Sequence, residues 1–333
     1  MSKSTVSLSL DELSILTFDA LSKVGVKEND ARIAHDVLVY AQLRDNSQGL
    51  VKVIERTVAP DPTAGEISIE NRSGATLRIN GNRRLGMVVC SRATDEVCSL
   101  AEEHGIGFVG AYNNSTSTGA IGYYAEKIAR QGLIGIVMAG SGKVMAMAGG
   151  IDPVFGTNPI AISVPTTGEP LVLDMATAAI ALFGVIEADR QGEEIAEGLA
   201  YDADGEPTTD PAQALTGALR TFGGYKGAGL AMMIETMTGP LVGAGVVGDD
   251  DAANNRGTAF IAIDPKVIAG EDAYNDAVTR MIGRIRKSRT ASGVPEIQLP
   301  GDRGRGRVSA KQAEDSIELD KRLYDELRML IDS

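Results

Sequence analysis

Residues 132–177 read GLIGIVMAGSGKVMAMAGGIDPVFGTNPIAISVPTTGEPLVLDMAT, and this stretch decides the fold. Three apolar runs, LIGIVMAG (133–140), PIAISVP (159–165) and PLVLDMA (170–176), are short, rich in Ile, Val and Leu, and bounded by glycine or proline. Such runs read as buried strands rather than helices. Toward the N-terminus, FVGAY (108–112) is a fourth strand, and a helix over 120–130 closed by Gly132 links it to the first run. A helix over 87–103 precedes it, and short strands flank a turn at Asn80-Gly81. Toward the C-terminus come helices over 178–188 and 227–237, a late strand AFIAID (259–264) and a helix over 272–286. The interleaving of strands with helices indicates an α/β or α+β sheet domain.

The chain ends read differently. Ser9 and Glu12 form a capping-box pattern ahead of a helix with Leu13, Leu16, Ala20 and Leu21 on its apolar face, closed near Gly25. A second helix over 29–43 turns Ile33, Val37, Leu38 and Ala41 inward, and a polar, proline-containing loop follows over 44–64. The tail reads as a charged helix capped by Ser309 and Gln312, with Ile317, Leu319, Leu323 and Leu327 as contacts. These patterns divide the chain into a helical subdomain, 1–62 with 305–333, and an α/β domain over 63–304. No internal repeat or low-complexity segment is present.

The 32 basic and 45 acidic residues leave a net charge of −13, which disfavours nucleic acid and anionic membrane as partners. The one basic run, GDRGRGR (301–307), reads as a solvated loop. The opening MSKSTVSLSLDELS has no apolar signal core, and no run approaches the roughly 18 apolar residues of a membrane span. Cys90 and Cys98 are the only cysteines and lack metal-ligand spacing. They suggest a reducing compartment, with the cytoplasm as the default. Glycine is abundant, 39 residues, and clusters between about 105 and 245, where turns and close approach of a ligand are expected.

The common motifs are silent. No Gly-x-Gly-x-x-Gly stands between an early strand and a helix, there is no phosphate loop, no zinc spacing, and only His35 and His104 are available for a triad. Both histidines fall in helical context, and a structural role is expected for each. What remains is a series of polar and glycine clusters: Ser47-Gln48-Gly49, Asn114-Ser115-Thr116-Ser117-Thr118-Gly119, Gly156-Thr157-Asn158-Pro159, Leu173-Asp174-Met175-Ala176-Thr177 and Phe222-Gly223-Gly224-Tyr225-Lys226-Gly227. The last exposes backbone amides at a helix start, an arrangement suited to anions.

In order and spacing these clusters resemble the type 2 malate/L-lactate dehydrogenase family over nearly the whole chain. The resemblance is strongest over 132–161, then in LDMAT, GEPTTDP and GGYKG. It implies an α/β (α+β), non-Rossmann nucleotide-binding fold with a mostly antiparallel sheet and a helical subdomain, assembled as a homodimer. It also implies NADPH or NADH as cofactor, near the subunit interface, and a small carboxylate as substrate. Carried over residue by residue, Ser141, Asp174, Met175, Ala176, Lys226 and the turn Gly301, Asp302, Arg303 are similar to cofactor contacts. Thr157 and Asn158 resemble the pocket floor.

Two departures shape the expected chemistry. The family's Ser-His-Gly-Val-x-Arg is here Ser47-Gln48-Gly49-Leu50-Val51-Lys52, and its Asn-Ser-x-His-Phe-Gly is here Asn114 to Gly119 with Ser117 at the histidine position. The chain thus resembles a divergent member lacking both active-site histidines. Neither Gln48 nor Ser117 titrates near neutrality, and a general acid is worth roughly 10²–10⁴ in rate for ketone reduction. An imine is more basic than a ketone and arrives carrying its own proton. The expected activity is therefore hydride transfer to a small 2-imino or 2-oxo carboxylate, imine preferred. The alternatives are a 2-hydroxy acid dehydrogenase or a catalytically silent nucleotide-binding relative. Ser47, Gln48, Lys52, Ser117, Lys143 and Asp174 are the candidate catalytic residues, with Lys52 also holding the substrate carboxylate as a point charge. Asp174 has an alternative role as cap of the helix after Thr177, and Lys143 as a solvated surface lysine.

Overall fold

The computed structural model describes residues 4–249 and 255–333; the first three residues of the opening segment lie outside the described residues. The three apolar runs pair edge to edge. Ile134–Ala139 lies antiparallel to Ile160–Val164, which lies antiparallel to Leu171–Met175. On the other side Ile134–Ala139 meets Arg256–Ile263, then Ile106–Asn114, Thr76–Asn80 and Ser68–Ser73, completing a seven-stranded sheet. Only the pair Thr76–Asn80 with Ile106–Asn114 is parallel, so this sheet is mostly antiparallel.

Side chains alternate across the sheet with period 2, and the two faces bury different partners. Val137, Ala139, Phe260 and Ala262 join the main core, beneath helices Gly86–His104 and Gly122–Arg130. Met138, Ala259, Ile136 and Ile261 face the other way and pack against helix Tyr225–Thr238 through Ile234 and Leu230. A smaller five-stranded sheet, with Met145–Ala146 and Ala218–Leu219 at its centre, packs on helices Leu182–Gln191 and Pro211–Thr216. No helix among the described residues is long and apolar enough to cross a membrane.

The N-terminal helices are Leu10–Lys23 and Glu28–Leu43. The Ser9 hydroxyl accepts the Glu12 N–H at 3.2 Å and the Glu12 carboxylate accepts the Ser9 N–H at 2.8 Å, completing the capping box. Val37, Leu38 and Ala41 are buried as expected, whereas Ile33 is only half-buried. The 44–64 loop contains a short helix, Val51–Ile54.

Three expectations are corrected. The tail is not one charged helix: helix Asp302–Glu314 is followed by strand Ile317–Asp320 and helix Lys321–Asp332. Ser309 and Gln312 lie inside the first of these helices, and Asp320 caps the last by accepting the Leu323 N–H at 3.0 Å. Strand Ile317–Asp320 pairs antiparallel with Thr5–Leu8, a strand too short and polar to stand out. The GDRGRGR run is helical from Asp302 despite its glycines, which disfavour helix. Tertiary bonds offset that cost: Arg307 donates to the Arg44 carbonyl at 2.9 Å, and Lys311 to the Leu43 carbonyl at 2.9 Å and Asp45 at 2.5 Å. Finally, the helix expected over 178–188 begins only at Leu182, because Ala178 bridges to Thr221 and the Ala179 N–H donates to the Arg220 carbonyl.

Candidate active site

Asp174 stands near the end of edge strand Leu171–Met175, where the sheet meets the helical layer. Its Oδ2 accepts the Gly122 N–H at 3.0 Å, so it holds the start of helix Gly122–Arg130 rather than the segment after Thr177. A Cβ on Gly122 would come within 2.7 Å of that oxygen, which fits glycine to the position. Asp174 is exposed on the side that faces a cavity, although protein crowds its other sides. Burial pushes its carboxyl up to about 6, opposed by the Gly122 N–H. Water on the open side screens part of that push.

The cavity measures about 670 Å³, within the range of small-ligand and cofactor sites. Val172 to Asp174 line one side, Tyr40, Arg44 and Ser47 another, and Leu299 to Gly301 with Arg303 a third. Its wall is closely tied. Tyr40 donates to Glu126 at 3.0 Å, Arg44 stacks on the Tyr40 ring and donates to Glu126 at 3.1 Å, and Arg130 donates to both Glu126 and Glu169. Burial and the Glu126 charge drive the Tyr40 phenol above its ordinary range.

The 301–303 turn separates into two roles. Gly301 adopts φ +94°, the left-handed region that glycine occupies without strain. Asp302 accepts the Leu299 N–H at 2.8 Å, Arg305 at 2.7 Å and the Arg286 guanidinium. Burial opposes its ionisation, but those donors outweigh it and hold the carboxyl below its ordinary value. Arg303 is exposed, lines the cavity and has no acidic partner among the described residues.

Around GTNP, Asn158 is fully buried with φ +30°. Its Nδ2 donates to Glu235 at 2.8 Å and to the Ala231 carbonyl at 3.1 Å, leaving its Oδ1 unpartnered. Thr157 and Ser141 hydroxyls meet at 3.2 Å, and a Cβ on Gly156 would collide with Ser141. Thr177 donates to the Thr157 carbonyl at 2.8 Å, fastening this loop to the LDMAT strand, where Met175 and Ala176 are half-buried.

Lys52 sits in helix Val51–Ile54 with only 2% of its surface exposed. Its ammonium lies 3.7 Å from the centre of the Phe183 ring. Burial, and to a lesser extent the charge of Arg256, lowers its pKa to about 7. Among the described residues no carboxylate pairs with either cation. Thr57 connects this helix to the second cluster: its N–H donates to the Lys52 carbonyl, and its own carbonyl accepts the Ser117 N–H at 2.9 Å. The Ser117 hydroxyl accepts the Gly119 N–H at 3.1 Å. Gln48 and Ser47 are half-buried in the turn before Lys52, where the Gln48 N–H donates to Asn46.

The structure therefore gathers Ser47, Asp174, Gly301 and Arg303 around one cavity, and stitches Lys52 to Ser117. Lys143 and Lys226 are exposed and line no part of the cavity. His35 stacks on Phe18 at 4.2 Å between ring centres, and His104 ends helix Gly86–His104; neither borders the cavity. Arg256, absent from every sequence cluster, is the functional candidate that the motifs missed. Its Nε, enclosed without a partner among the described residues, and the influence of its charge on Lys52 reveal it. A cavity of this size, lined by the exposed Arg303 guanidinium that has no acidic partner among the described residues, fits an elongated anionic nucleotide.

The malate/L-lactate dehydrogenase family model matches residues 8–328. The chain is 36% identical to malate/(S)-sulfolactate dehydrogenase of Methanothermus fervidus, covering 98% of this chain and 97% of that one. It is 34% identical to Δ1-pyrroline-2-carboxylate reductase 1 of Burkholderia ambifaria, covering 98% of each. The solved structure of sulfolactate dehydrogenase from Methanocaldococcus jannaschii superposes with a TM-score of 0.85 at 35% identity, covering 98% of this chain and 97% of that one. With the match spanning sequence and fold alike, the chain belongs to the malate/L-lactate dehydrogenase family of nicotinamide-dependent oxidoreductases.

Proposed function

We propose that this protein is an NADPH-dependent reductase of a small cyclic or linear 2-imino carboxylate. The observation that carries the reading is Lys52, a buried cation with no carboxylate partner among the described residues. A buried charge is retained at a cost when it serves a ligand, and a carboxylate is the anion that relatives of both kinds handle. The half-buried Ser117 and Gln48 stand on the segments joined to Lys52, and neither titrates near neutrality. A substrate that brings its own proton suits such a pocket.

When bound, a reduced nicotinamide would supply the hydride, and Asp174, Gly301 and Arg303 line the cavity that would hold it. Every other task falls to the chain. Lys52 neutralises the substrate carboxylate. Asn158 and Thr157 set the pocket floor, and Ser141 is held against them. Asp174 positions Gly122 and, with its carboxyl near 6, is the cavity group best placed to exchange a proton with water. Met175, Ala176 and Gly301 supply backbone along the cofactor. Arg303 favours NADPH over NADH, since a 2′-phosphate seeks a free guanidinium, and Asp302 is already committed to two arginines. Lys143 and Lys226 stand farther out, for the substrate and cofactor phosphates respectively, and would act only by folding inward.

Tyr225, Met232 and Met233, exposed on one face of helix Tyr225–Thr238, support a homodimer in which a second copy would cover them; sedimentation tests it. Buried, unbridged Cys90 and Cys98 support a reducing compartment such as the cytoplasm.

The identities to malate and sulfolactate dehydrogenases favour a second reading, oxidation of a 2-hydroxy acid. A turnover panel separates the two. The proposal expects NADPH oxidation with Δ1-pyrroline-2-carboxylate to outrun that with pyruvate, oxaloacetate or sulfopyruvate; faster turnover of a free 2-oxo acid rejects it.

A further inference from the structure

Helix Asp302–Glu314 forms one wall of the 670 Å³ cavity through Arg303, Gly304, Arg305 and Arg307. None of its residues is buried, and Val308, its only apolar side chain larger than alanine, is half-buried. Most helices in proteins are held by the apolar face they bury, and this one has almost none. Gly304 and Gly306 weaken it further. Polar contacts to the opposite rim hold it instead. Arg307 and Lys311, four residues apart, share one face and reach the end of helix Glu28–Leu43. They donate to the Arg44 and Leu43 carbonyls, each at 2.9 Å, and both cations pair with the Asp45 carboxylate. Arg44 and Asp45 line the cavity opposite Arg307, so this clasp joins one wall to the other.

The clasp is built to part. The side chains of Asp45 and Arg307 are 52% and 41% exposed, and exposed ion pairs contribute little each. Glu126, which fixes Arg44 and Arg130 on the far wall, is only 9% exposed. The chain is anchored just outside the helix: Leu299 is buried before it, and Ile317 and Leu319 are buried after it in the strand paired with Thr5–Leu8. Left-handed residues mark the two boundaries, Gly301 at φ +94° and Asp315 at φ +45°. A segment with few buried apolar contacts between fixed ends is the kind that opens by local unfolding.

We propose that helix Asp302–Glu314 is the gate of the cavity, unwinding locally to admit and release the cofactor, with the Asp45 clasp setting how often it opens. The inference rests on the reading that this cavity holds the nicotinamide cofactor, and adds how the cofactor gets in and out.

The test joins amide hydrogen exchange over 302–314 to stopped-flow release of whichever of NADPH and NADH binds more tightly. In the free protein this helix is expected to exchange far faster than strand Ile134–Ala139. Asp45→Asn, which removes both ion pairs, is expected to speed exchange over 302–314 and cofactor release by about tenfold each, leaving exchange in the strand unchanged. Asp45→Cys with Lys311→Cys, joined by a short bis-methanethiosulfonate, closes the clasp covalently; Cys90 and Cys98 are buried from the reagent. The joined protein is expected to take up and release cofactor at least tenfold more slowly than the unjoined one, and dithiothreitol to restore both rates. The covalent clasp carries the test if Asp45→Asn fails to fold. Uptake and release within twofold in the joined and unjoined proteins, or a helix exchanging as slowly as the strand, overturns the gate. Wild type that binds neither nucleotide overturns the cofactor reading of the cavity itself, a distinct result.

Discussion

The two charged regions of this molecule are built on opposite principles. In and behind the wall of the 670 Å³ cavity the charges are paired: Arg44 and Arg130 with Glu126, Arg305 and Arg286 with Asp302, and Arg307 and Lys311 with Asp45. Away from that wall, Lys52 is buried and feels the charge of Arg256, and neither cation has a carboxylate partner among the described residues. Paired charges of the first kind shape and stiffen a wall. Unpaired, buried charges of the second kind lower stability and are explained by a ligand that arrives with the opposite sign. Arg303 is the exception in the first region, a free guanidinium in a wall of paired ones.

The largest expected effect comes from removing the buried cation. Lys52→Met is expected to raise KM for the imino acid by about 10²–10³-fold, the cost of truncating one partner of a buried ion pair, with KM for NADPH unchanged. The same substitution is expected to stabilise the fold by about 1–4 kcal/mol in denaturant titrations. Lys52 has a folded pKa near 7 against 10.5 in a free lysine. The gain is therefore full below pH 7 and fades as pH climbs toward 10.5. Loss of stability together with loss of binding would mean that Lys52 serves packing instead.

The next effect sharpens the exception. Arg303→Gln is expected to weaken NADPH about 10–100-fold while leaving NADH within twofold, read from cofactor fluorescence. Equal weakening of both would remove the 2′-phosphate from Arg303. The smallest functional effect belongs to a paired charge. Asp302→Asn is expected to cost about 1–3 kcal/mol of stability by releasing Arg286 and Arg305, yet to change both cofactor affinities by no more than a few-fold. A selective loss of one cofactor would instead make Asp302 a nucleotide contact.

The sheet was legible in the sequence because its strands are continuous apolar runs between glycines and prolines, as in Ile134–Ala139 and Ile160–Val164. Long-range pairings were not. Thr5–Leu8 reads as a polar tail until Ile317–Asp320 lies beside it, and GDRGRGR reads as a loop until Arg44 and Asp45 receive its side chains. The candidate site divides the same way. Residues in clusters, such as Asp174 with its neighbours, could be found by pattern. Arg256 is a lone arginine at a strand start, and only its enclosed Nε, without a partner among the described residues, marks it. In the 301–303 turn, only the three-dimensional pairings show that Asp302 is engaged by Arg286 and Arg305 while Arg303 stands exposed.

The account's central claim, that the Lys52 ammonium awaits a carboxylate, meets its most direct test in the inhibition constant of pyrrole-2-carboxylate between pH 6 and 9. The ligand does not titrate in that window, whereas Lys52 is cationic below about 7 and neutral above. Wild type is expected to hold its affinity below pH 7 and lose about tenfold per pH unit above it, while Lys52→Arg stays flat to pH 9. An inhibition constant independent of pH in the wild-type protein would contradict the claim.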